Sequence, residues 1–241
     1  MSNGRRHDFV LVHGAWHGGW VWRDVIPGLH ALGHEASAPT LTGLGERRHI
    51  GTGSIGLEDH VEDLVAHIEM EDLRDITLVG WSYGGMVITG ALARLSERIR
   101  GMVYLDAFVP EDGEAAIDYI PPQNRVSWDA CRDADRPLPP IPLPVFGVTD
   151  PALVAFIEPR LAPQPWRTFY QPVKALKSRP DIPMSYVACS GYGQSPFMAR
   201  LAEMEADPAM RTIVIDTSHH CMLTAVEETV AALVESRFPS L

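Results

Sequence analysis

The chain is poor in the features that mark disulfide scaffolds, membrane proteins and nucleic-acid binders. It has three cysteines in 241 residues. Three is an odd number and no pair has C-x-x-C spacing, which argues against a disulfide framework and a zinc site. No apolar run approaches the roughly 20 residues that span a bilayer. Its 31 acidic residues outnumber 20 basic ones, and the net charge of −11 disfavours nucleic-acid and anionic-membrane partners.

The chain also lacks a recognisable secretion signal and any internal repeat. Residues 1–8 are polar and lead straight into an apolar run, so no secretory h-region is predicted. This start and the unpaired cysteines predict a cytoplasmic protein. The content of 46% hydrophobic and 21% charged residues is typical of a globular protein, and the length suits one domain with a sizeable core.

Short apolar runs alternate with longer helical patterns in both terminal parts of the chain. Strands are predicted at residues 9–12, 35–38, 76–79, 102–105, 186–189 and 212–215. Helices are predicted at residues 20–32, 61–68, 86–95 and 196–204, from apolar positions that recur with helical spacing. A T-x-x-E pattern at Thr224 and Glu227 predicts a capping box that opens a last helix. This alternation predicts an α/β fold, a mostly parallel sheet with helices on both faces.

Residues 110–183 interrupt the alternation. They hold most of the prolines, including the run PLPPIPLP at 137–144, and also many aromatic residues, which a flexible linker would lack. An apolar but irregular insertion of this length is interpreted as a cap over one edge of the sheet. The predicted division is a core of residues 1–109 and 184–241 and a cap segment of residues 110–183.

The strongest chemical signal is a serine among glycines, in the sequence GWSYGG at residues 80–85. This G-x-S-x-G pattern follows a predicted strand and precedes a predicted helix. At such a sharp turn, which we call the elbow, the hydroxyl of Ser82 projects above the carboxyl edge of the sheet. The N–H groups of the following helix can stabilise a developing oxyanion. Ser82 is therefore predicted to be a nucleophile, and the alternative is a purely structural turn.

A serine nucleophile needs a base, and position distinguishes among the ten histidines. His219 and His220 directly follow the last predicted strand. Because ligands sit at the carboxyl ends of strands in this architecture, both imidazoles are expected at the same edge as Ser82. The alternative is a polar loop with two solvated histidines.

The oxyanion donors are predicted from two places in the chain. One is the N–H of Tyr83, directly after the predicted nucleophile. The other is expected in the loop after the first strand, HGAWHGGW at residues 13–20, where the N–H of Ala15 is in position. The remaining histidines and tryptophans of this loop are interpreted as residues that shape it.

The motifs HGAWHGGW, GWSYGG and SHHCMLT together resemble those of the α/β-hydrolase superfamily. Within it they are similar to the plant methylesterase and hydroxynitrile lyase group and its small bacterial esterase relatives. The resemblance covers the sheet half of the chain, and the cap only in length and position. It implies Ser82 as nucleophile, His219 rather than His220 as base, and Ala15 and Tyr83 as oxyanion donors.

The catalytic acid departs from the pattern of that group, in which it follows the penultimate strand. Here that loop, SGYGQS at residues 190–195, has no carboxylate. Asp181 precedes the strand, and Asp216 is only three residues from His219. Asp106 ends the strand after the elbow helix, at the correct edge, and keeps the chain order Ser, Asp, His. It is predicted to be the acid, and the alternative is that it caps the turn into the cap segment.

These residues predict a serine esterase that acts by two-step acyl transfer, without a metal or organic cofactor. The expected partner is a small, largely apolar ester, and a homodimer is compatible with the sequence. The aromatic residues predicted to contact the substrate are Trp16, Trp81, Phe108 and Trp128.

Two alternatives stay open. One is a lyase or cyclase with the same triad, since the resembled group contains cyanohydrin-cleaving members. Those carry threonine at the position of Gly14 and lysine at that of His220, and both differences favour hydrolysis here. The other is a ligand-binding receptor on a hydrolase scaffold, which fold alone would not exclude.

Overall fold

The sheet is assembled from six parallel strands. The structure is a computed structural model that describes residues 9–236 apart from residues 52, 179 and 194, so the polar residues 1–8 lie outside it. The strands are β1 (Phe9–Val12), β2 (Ala36–Ser37), β3 (Ile76–Trp81), β4 (Ile99–Leu105), β5 (Met184–Cys189) and β6 (Met210–Ile215). Their order is β2-β1-β3-β4-β5-β6, with every neighbouring pair parallel. The predicted α/β fold is confirmed.

Helices cover both faces of this sheet. Successive strand residues point to opposite faces, so β1 contributes to two apolar cores. Val10 and Val12 pack with α2 (Leu57–Met70) and α3 (Gly84–Leu95). Phe9 and Leu11 pack on the other face with α1 (Val25–Ala31) and the last helix (Val226–Glu235). Among the described residues, no helix is long and apolar enough to cross a membrane.

Three predicted helices begin later than expected, and that predicted at residues 196–204 starts as a 3-10 turn before an α-helix from Leu201. Instead of one helix over residues 20–32, a short 3-10 turn (Gly19–Trp22) precedes α1. Pro27, which lacks an N–H, therefore lies in the first turn of α1, where no intrahelical donor is required. The predicted capping box is absent as well, because the hydroxyl of Thr224 donates to the carbonyl of His220 instead, and the last helix begins at Val226.

The cap segment contains more helix than its proline content predicted. It forms α4 (Pro122–Asp133), α5 (Pro151–Ile157) and α6 (Arg167–Tyr170). The prolines at the starts of α4 and α5 stand where the helix has no hydrogen-bond partner for an N–H, so they begin helices rather than prevent them. Asp150 adds a side-chain cap, accepting hydrogen bonds from the N–H groups of Ala152 and Leu153.

After the cap segment, the chain returns to the sheet and ends in short helices. α7 (Leu201–Ala206) lies between β5 and β6, preceded by a 3-10 turn (Met198–Arg200). α8 (Cys221–Thr224) and α9 (Val226–Glu235) follow β6. The parallel arrangement places the loops after β1, β3, β4, β5 and β6 at one edge of the sheet.

Candidate active site

Ser82 stands at a strained turn between β3 and α3. Its φ of +55° is unusual for a residue with a side chain. Backbone hydrogen bonds hold it: its N–H donates to Leu105 at 3.2 Å, and its carbonyl accepts from Gly85 and Phe108. The turn is so tight that a Cβ at Gly80 would lie 2.6 Å from the carbonyl oxygen of Gly84. The elbow therefore requires glycine at position 80.

His219 and Asp106, which the sequence places 113 residues apart, meet beside the elbow. His219 Nδ1 lies 2.6 Å from Asp106 Oδ2, and both side chains are buried. A proton on Nδ1 donated to the carboxylate leaves Nε2 as the nitrogen that can accept a proton. The indole N–H of Trp81, next to Ser82, donates to the carbonyl of His219 at 2.8 Å. This bond joins the histidine loop to the elbow.

Asp106 is held through both its backbone and its carboxylate. The backbone has a φ of +44°, and its N–H donates to the carbonyl of Val187 at 2.6 Å. Oδ1 accepts from the N–H of Cys189 at 3.1 Å, and Oδ2 accepts from the hydroxyl of Tyr192 at 2.6 Å in addition to His219. Three hydrogen-bond donors thus converge on this buried carboxylate and fix its orientation. The sequence does not reveal the role of Tyr192, because no local pattern links it to a carboxylate 86 residues away.

The ring of His219 lies among aromatic side chains. Phe197 stacks on it with ring centroids 5.2 Å apart, and Phe146 of the cap segment stacks at 4.9 Å. The N–H of His219 also donates to the carbonyl of Phe146 at 3.0 Å. The imidazole is thus fixed in an apolar environment, where its hydrogen bond to a carboxylate is strengthened.

Two imidazoles orient the loop after β1. His13 Nδ1 donates to the carbonyl of Gly14 at 2.8 Å while its Nε2 accepts from the N–H of Leu41. Because the peptide unit is planar and trans, fixing the Gly14 carbonyl also fixes the opposite direction of the Ala15 N–H. His17 Nδ1 donates to the carbonyl of Ala15 at 2.6 Å. Burial lowers the pKa of His13 to about 4 and that of His17 to about 3, so both are neutral near pH 7.

The second predicted oxyanion donor, Tyr83, is anchored by its side chain. Its hydroxyl donates to His60 Nδ1 at 3.0 Å, and His60 Nε2 donates to the carbonyl of Thr42. Burial lowers the pKa of His60 to about 4. The ring of Tyr83 stacks on Phe169 of the cap segment. Among the hydrogen bonds between described residues, none uses the N–H of Tyr83 or of Ala15.

His220 faces a different partner from its neighbour His219. Its Nε2 lies 3.1 Å from Nε2 of His17. Since His17 carries its proton on Nδ1, His220 is the donor of this pair. The Nδ1 of His220 has no partner among the described residues. Burial lowers its pKa well below the ordinary value, so it is neutral.

The predicted substrate-contacting aromatic residues are all buried. Trp16, at φ +65°, is bound to the cap segment through its N–H to Gln164 Oε1 and its indole to the carbonyl of Leu138. Trp128 packs against Trp16 and Phe169. Gln164 is a fully buried residue that sequence reasoning missed, because nothing in its sequence context distinguishes it.

The other two predicted aromatic residues pack beside the histidine loop. Trp81 lies against three imidazoles, those of His17, His219 and His220. Phe108 packs against Phe197 and the ring of Tyr119. Substrate contact by any of the four stays a prediction.

A family model and one relative extend over nearly the whole chain, and a second relative extends over less than half of it. The model of the Alpha/beta hydrolase family matches residues 9–233. A carbendazim hydrolyzing esterase from Nocardioides sp. (strain SG-4G) is 36% identical over 237 residues, 92% of this chain and 96% of that protein. Methylesterase 1 from Arabidopsis thaliana is 36% identical over 110 residues, 44% of this chain and 41% of that protein.

A solved structure with a very similar fold is an extracellular α/β-hydrolase from a Paenibacillus species. Its TM-score is 0.85 at 24% identity, covering 97% of this chain and 100% of that one. A methylesterase from Arabidopsis has a TM-score of 0.74 at 22% identity, covering 95% and 98% of the two chains. The chain therefore belongs to the α/β hydrolase family, and within that family it is an esterase.

Proposed function

We propose that the chain hydrolyses a small, largely apolar carboxylic ester through an acyl-enzyme on Ser82, with His219 as base and Asp106 as acid. The observation that carries this proposal is the 2.6 Å contact between Asp106 Oδ2 and His219 Nδ1 beside the elbow. An acid in this position fixes the tautomer of the histidine and stabilises the imidazolium that forms during turnover.

The reaction proceeds in two steps. His219 Nε2 takes the proton of Ser82 Oγ as that oxygen attacks the ester carbonyl, and the N–H groups of Ala15 and Tyr83 stabilise the oxyanion. His219 then gives the proton to the leaving alcohol. A water molecule, deprotonated by His219, hydrolyses the acyl-enzyme and releases the acid, while Asp106 stays ionised. These steps need no metal or organic cofactor.

The surroundings of the site support an apolar substrate. The cap segment brings aromatic rings to both catalytic loops, with Phe146 on His219 and Phe169 on Tyr83. Binding would then rest largely on burial of apolar area. The net charge of −11 disfavours polyanionic substrates. We propose that residues 110–183 act as the cap of this site, and that the enzyme works in the cytoplasm.

Two observations favour hydrolysis over the lyase alternative. A Cβ at Gly14 would lie 2.9 Å from the ring of Trp81 and 3.0 Å from Cβ of Ser82. The threonine of the cyanohydrin-cleaving enzymes would therefore require the ring of Trp81 or the side chain of Ser82 to shift. His220, at the position of their lysine, is buried and its pKa is lowered, so it offers no positive charge to a cyanide leaving group.

The proposal is tested by labelling the protein with a serine-reactive phosphonate and locating the adduct by mass spectrometry. We expect a single adduct on the peptide that contains Ser82, and turnover of short-chain aryl or methyl esters that disappears in Ser82→Ala. The matched control is Ser96→Ala, which removes an exposed serine just after α3 and should label and turn over like the parent. An adduct elsewhere, or none, contradicts the proposal.

A further inference from the structure

We propose that Tyr192 is a positioning residue for the triad, acting through a hydrogen bond to the acid. The inference rests on the proposed function of Ser82, His219 and Asp106. Tyr192 belongs to the loop after β5, which contains no carboxylate. Through this phenol the loop nevertheless reaches the acid, which directly follows the neighbouring strand β4.

The contacts form a continuous chain of hydrogen bonds. The hydroxyl of Ser195 donates to the Tyr192 hydroxyl at 2.7 Å, which donates to Asp106 Oδ2 at 2.6 Å. His219 Nδ1 approaches the same carboxylate oxygen at 2.6 Å. The Tyr192 oxygen and His219 Nδ1 are 3.4 Å apart, so two donors converge on one acceptor. The phenol and the imidazole thus share the charge of a single oxygen.

The phenol acts as a donor across the working range of pH. Burial and the neighbouring charge of Asp106 raise the pKa of Tyr192, so it keeps its proton. A donor on Oδ2 withdraws electron density from the oxygen that binds the histidine, and it restricts rotation of the carboxylate. Tyr192 therefore limits how strongly Asp106 holds a proton on His219, and it keeps the carboxylate aimed at Nδ1.

Among the described residues, the other titratable groups that face Asp106 or His219 are uncharged near neutral pH. Those that face Asp106 or His219 are His17, His220, Tyr186 and Cys189. Burial lowers the pKa of both histidines, that of His17 to about 3. Burial raises the pKa of Tyr186, and a hydrogen bond with Cys221 together with burial raises that of Cys189.

The test is the pH dependence of kcat/KM for Tyr192→Phe. Without the phenol, the carboxylate binds the imidazolium more strongly, so the base stays protonated to higher pH. We expect the acid limb of the profile to move up by roughly half to one pH unit, and the plateau to fall about tenfold. A merely structural role would lower the yield of folded protein or the plateau but would leave the acid limb in place.

The matched control is Tyr170→Phe. Tyr170 makes the same kind of pair in the cap segment, donating to Asp129 Oδ1 at 2.8 Å. Its removal should leave the acid limb unchanged. Ser195→Ala is a graded variant, because it removes the donor to Tyr192 and so weakens the phenol as a donor. Ser195→Ala should shift the acid limb of the kcat/KM profile in the same direction, but by a smaller amount. It replaces Tyr192→Phe as the test variant if Tyr192→Phe does not fold.

A spectroscopic readout separates this inference from the proposed function. The Nδ1 proton of His219 should give a far-downfield proton NMR resonance, since it lies in a short bond to a carboxylate. We expect the resonance to move in Tyr192→Phe and not in Tyr170→Phe. If the parent enzyme shows no Ser82-dependent turnover, the proposed function fails while this measurement still stands. A folded Tyr192→Phe protein with unchanged resonance and unchanged acid limb overturns the role of Tyr192.

Discussion

Buried polar groups are stabilised differently in the two parts of the candidate site. We call the surroundings of Asp106 the acid side, and the surroundings of Ala15 and Tyr83 the oxyanion side. On the acid side, the buried carboxylate of Asp106 accepts hydrogen bonds from three donors. On the oxyanion side, buried imidazoles hold the backbone or side chains of the two donor residues and of their neighbours. These imidazoles are His13, His17, His60 and His220. Burial lowers the pKa of all four.

The comparison shows that a carboxylate supplies the charge on one side of the site, whereas neutral imidazoles orient the backbone on the other side. A neutral imidazole has one donor and one acceptor, so it can orient a peptide group without adding a charge. A carboxylate adds charge, and it stays buried only where donors match it. The acid side should therefore respond to substitution mainly in turnover. The oxyanion side should respond mainly in the pH dependence of stability.

The largest expected effect is that of Asp106→Asn. Asparagine tolerates the left-handed backbone of this position, so the fold should persist. Without the charge, His219 adopts the wrong tautomer, and turnover near neutral pH should fall on the order of 10⁴-fold. The measurement is kcat/KM together with a thermal melt. The control is Asp216→Asn, an exposed acid three residues before His219, which should keep nearly full activity. A folded Asp106→Asn enzyme with nearly full activity would show that Asp106 is not the catalytic acid and that the acid side is structural.

His219 and His220 are adjacent in the chain, but the first contacts Asp106 on the acid side and the second contacts His17 on the oxyanion side. Replacing each of them separately therefore tests the comparison between the two sides. His219→Ala should lose at least about 10³-fold in turnover, the scale of removing a triad member. His220→Ala should keep most activity per folded molecule, because this residue contacts His17 and lies apart from the acid. It should instead cost about 1–3 kcal/mol of stability for a buried cavity and an unpaired partner. The reverse ranking of activities would reassign the base.

The parts of this architecture that the sequence reveals are those governed by local pattern. β1 is predicted with its observed ends because a fully buried run of four apolar residues has a clear boundary on each side. Asp106 is predicted as the acid by elimination, and the structure places its carboxylate 2.6 Å from His219 Nδ1. No local sequence pattern predicts the left-handed backbone of Asp106. Its hydrogen bond with Tyr192 is not predictable either, because 86 residues separate the two partners.

Competition from other groups in the fold explains why the predicted capping box is absent. Thr224 matches a capping box, but its hydroxyl is used by the carbonyl of His220. The neutral imidazoles give no sequence signal, because a histidine is depressed in pKa only by the burial that folding creates. Local pattern therefore singles out Ser82 and His219 as the proposed nucleophile and base, whereas the groups that support them depend on how distant loops meet.

Acidification should destabilise the protein through its oxyanion side. The four imidazoles take up protons below about pH 6.5 when unfolded, but when folded they stay neutral to about pH 4 for His13 and His60 and about pH 3 for His17. Their stabilisation is complete above the unfolded pKa and is lost as pH falls. At about pH 5.5 the loss should reach about 5 kcal/mol, a large share of ordinary domain stability. Urea unfolding between about pH 7.5 and 5 measures it, and a flat profile contradicts it.

The smallest expected effect isolates one imidazole. His60→Gln keeps an acceptor for the Tyr83 hydroxyl and a donor for the carbonyl of Thr42, but it removes a titrating group. The stability lost between about pH 7.5 and 5.5 should shrink by about 1 kcal/mol, one group's share. Turnover at neutral pH should change little, because the proposed oxyanion donor is the backbone N–H of Tyr83. His30→Gln, at the exposed end of α1, is the control and should leave the pH dependence as it is. An equally steep loss of stability in His60→Gln would show that this imidazole does not contribute to it.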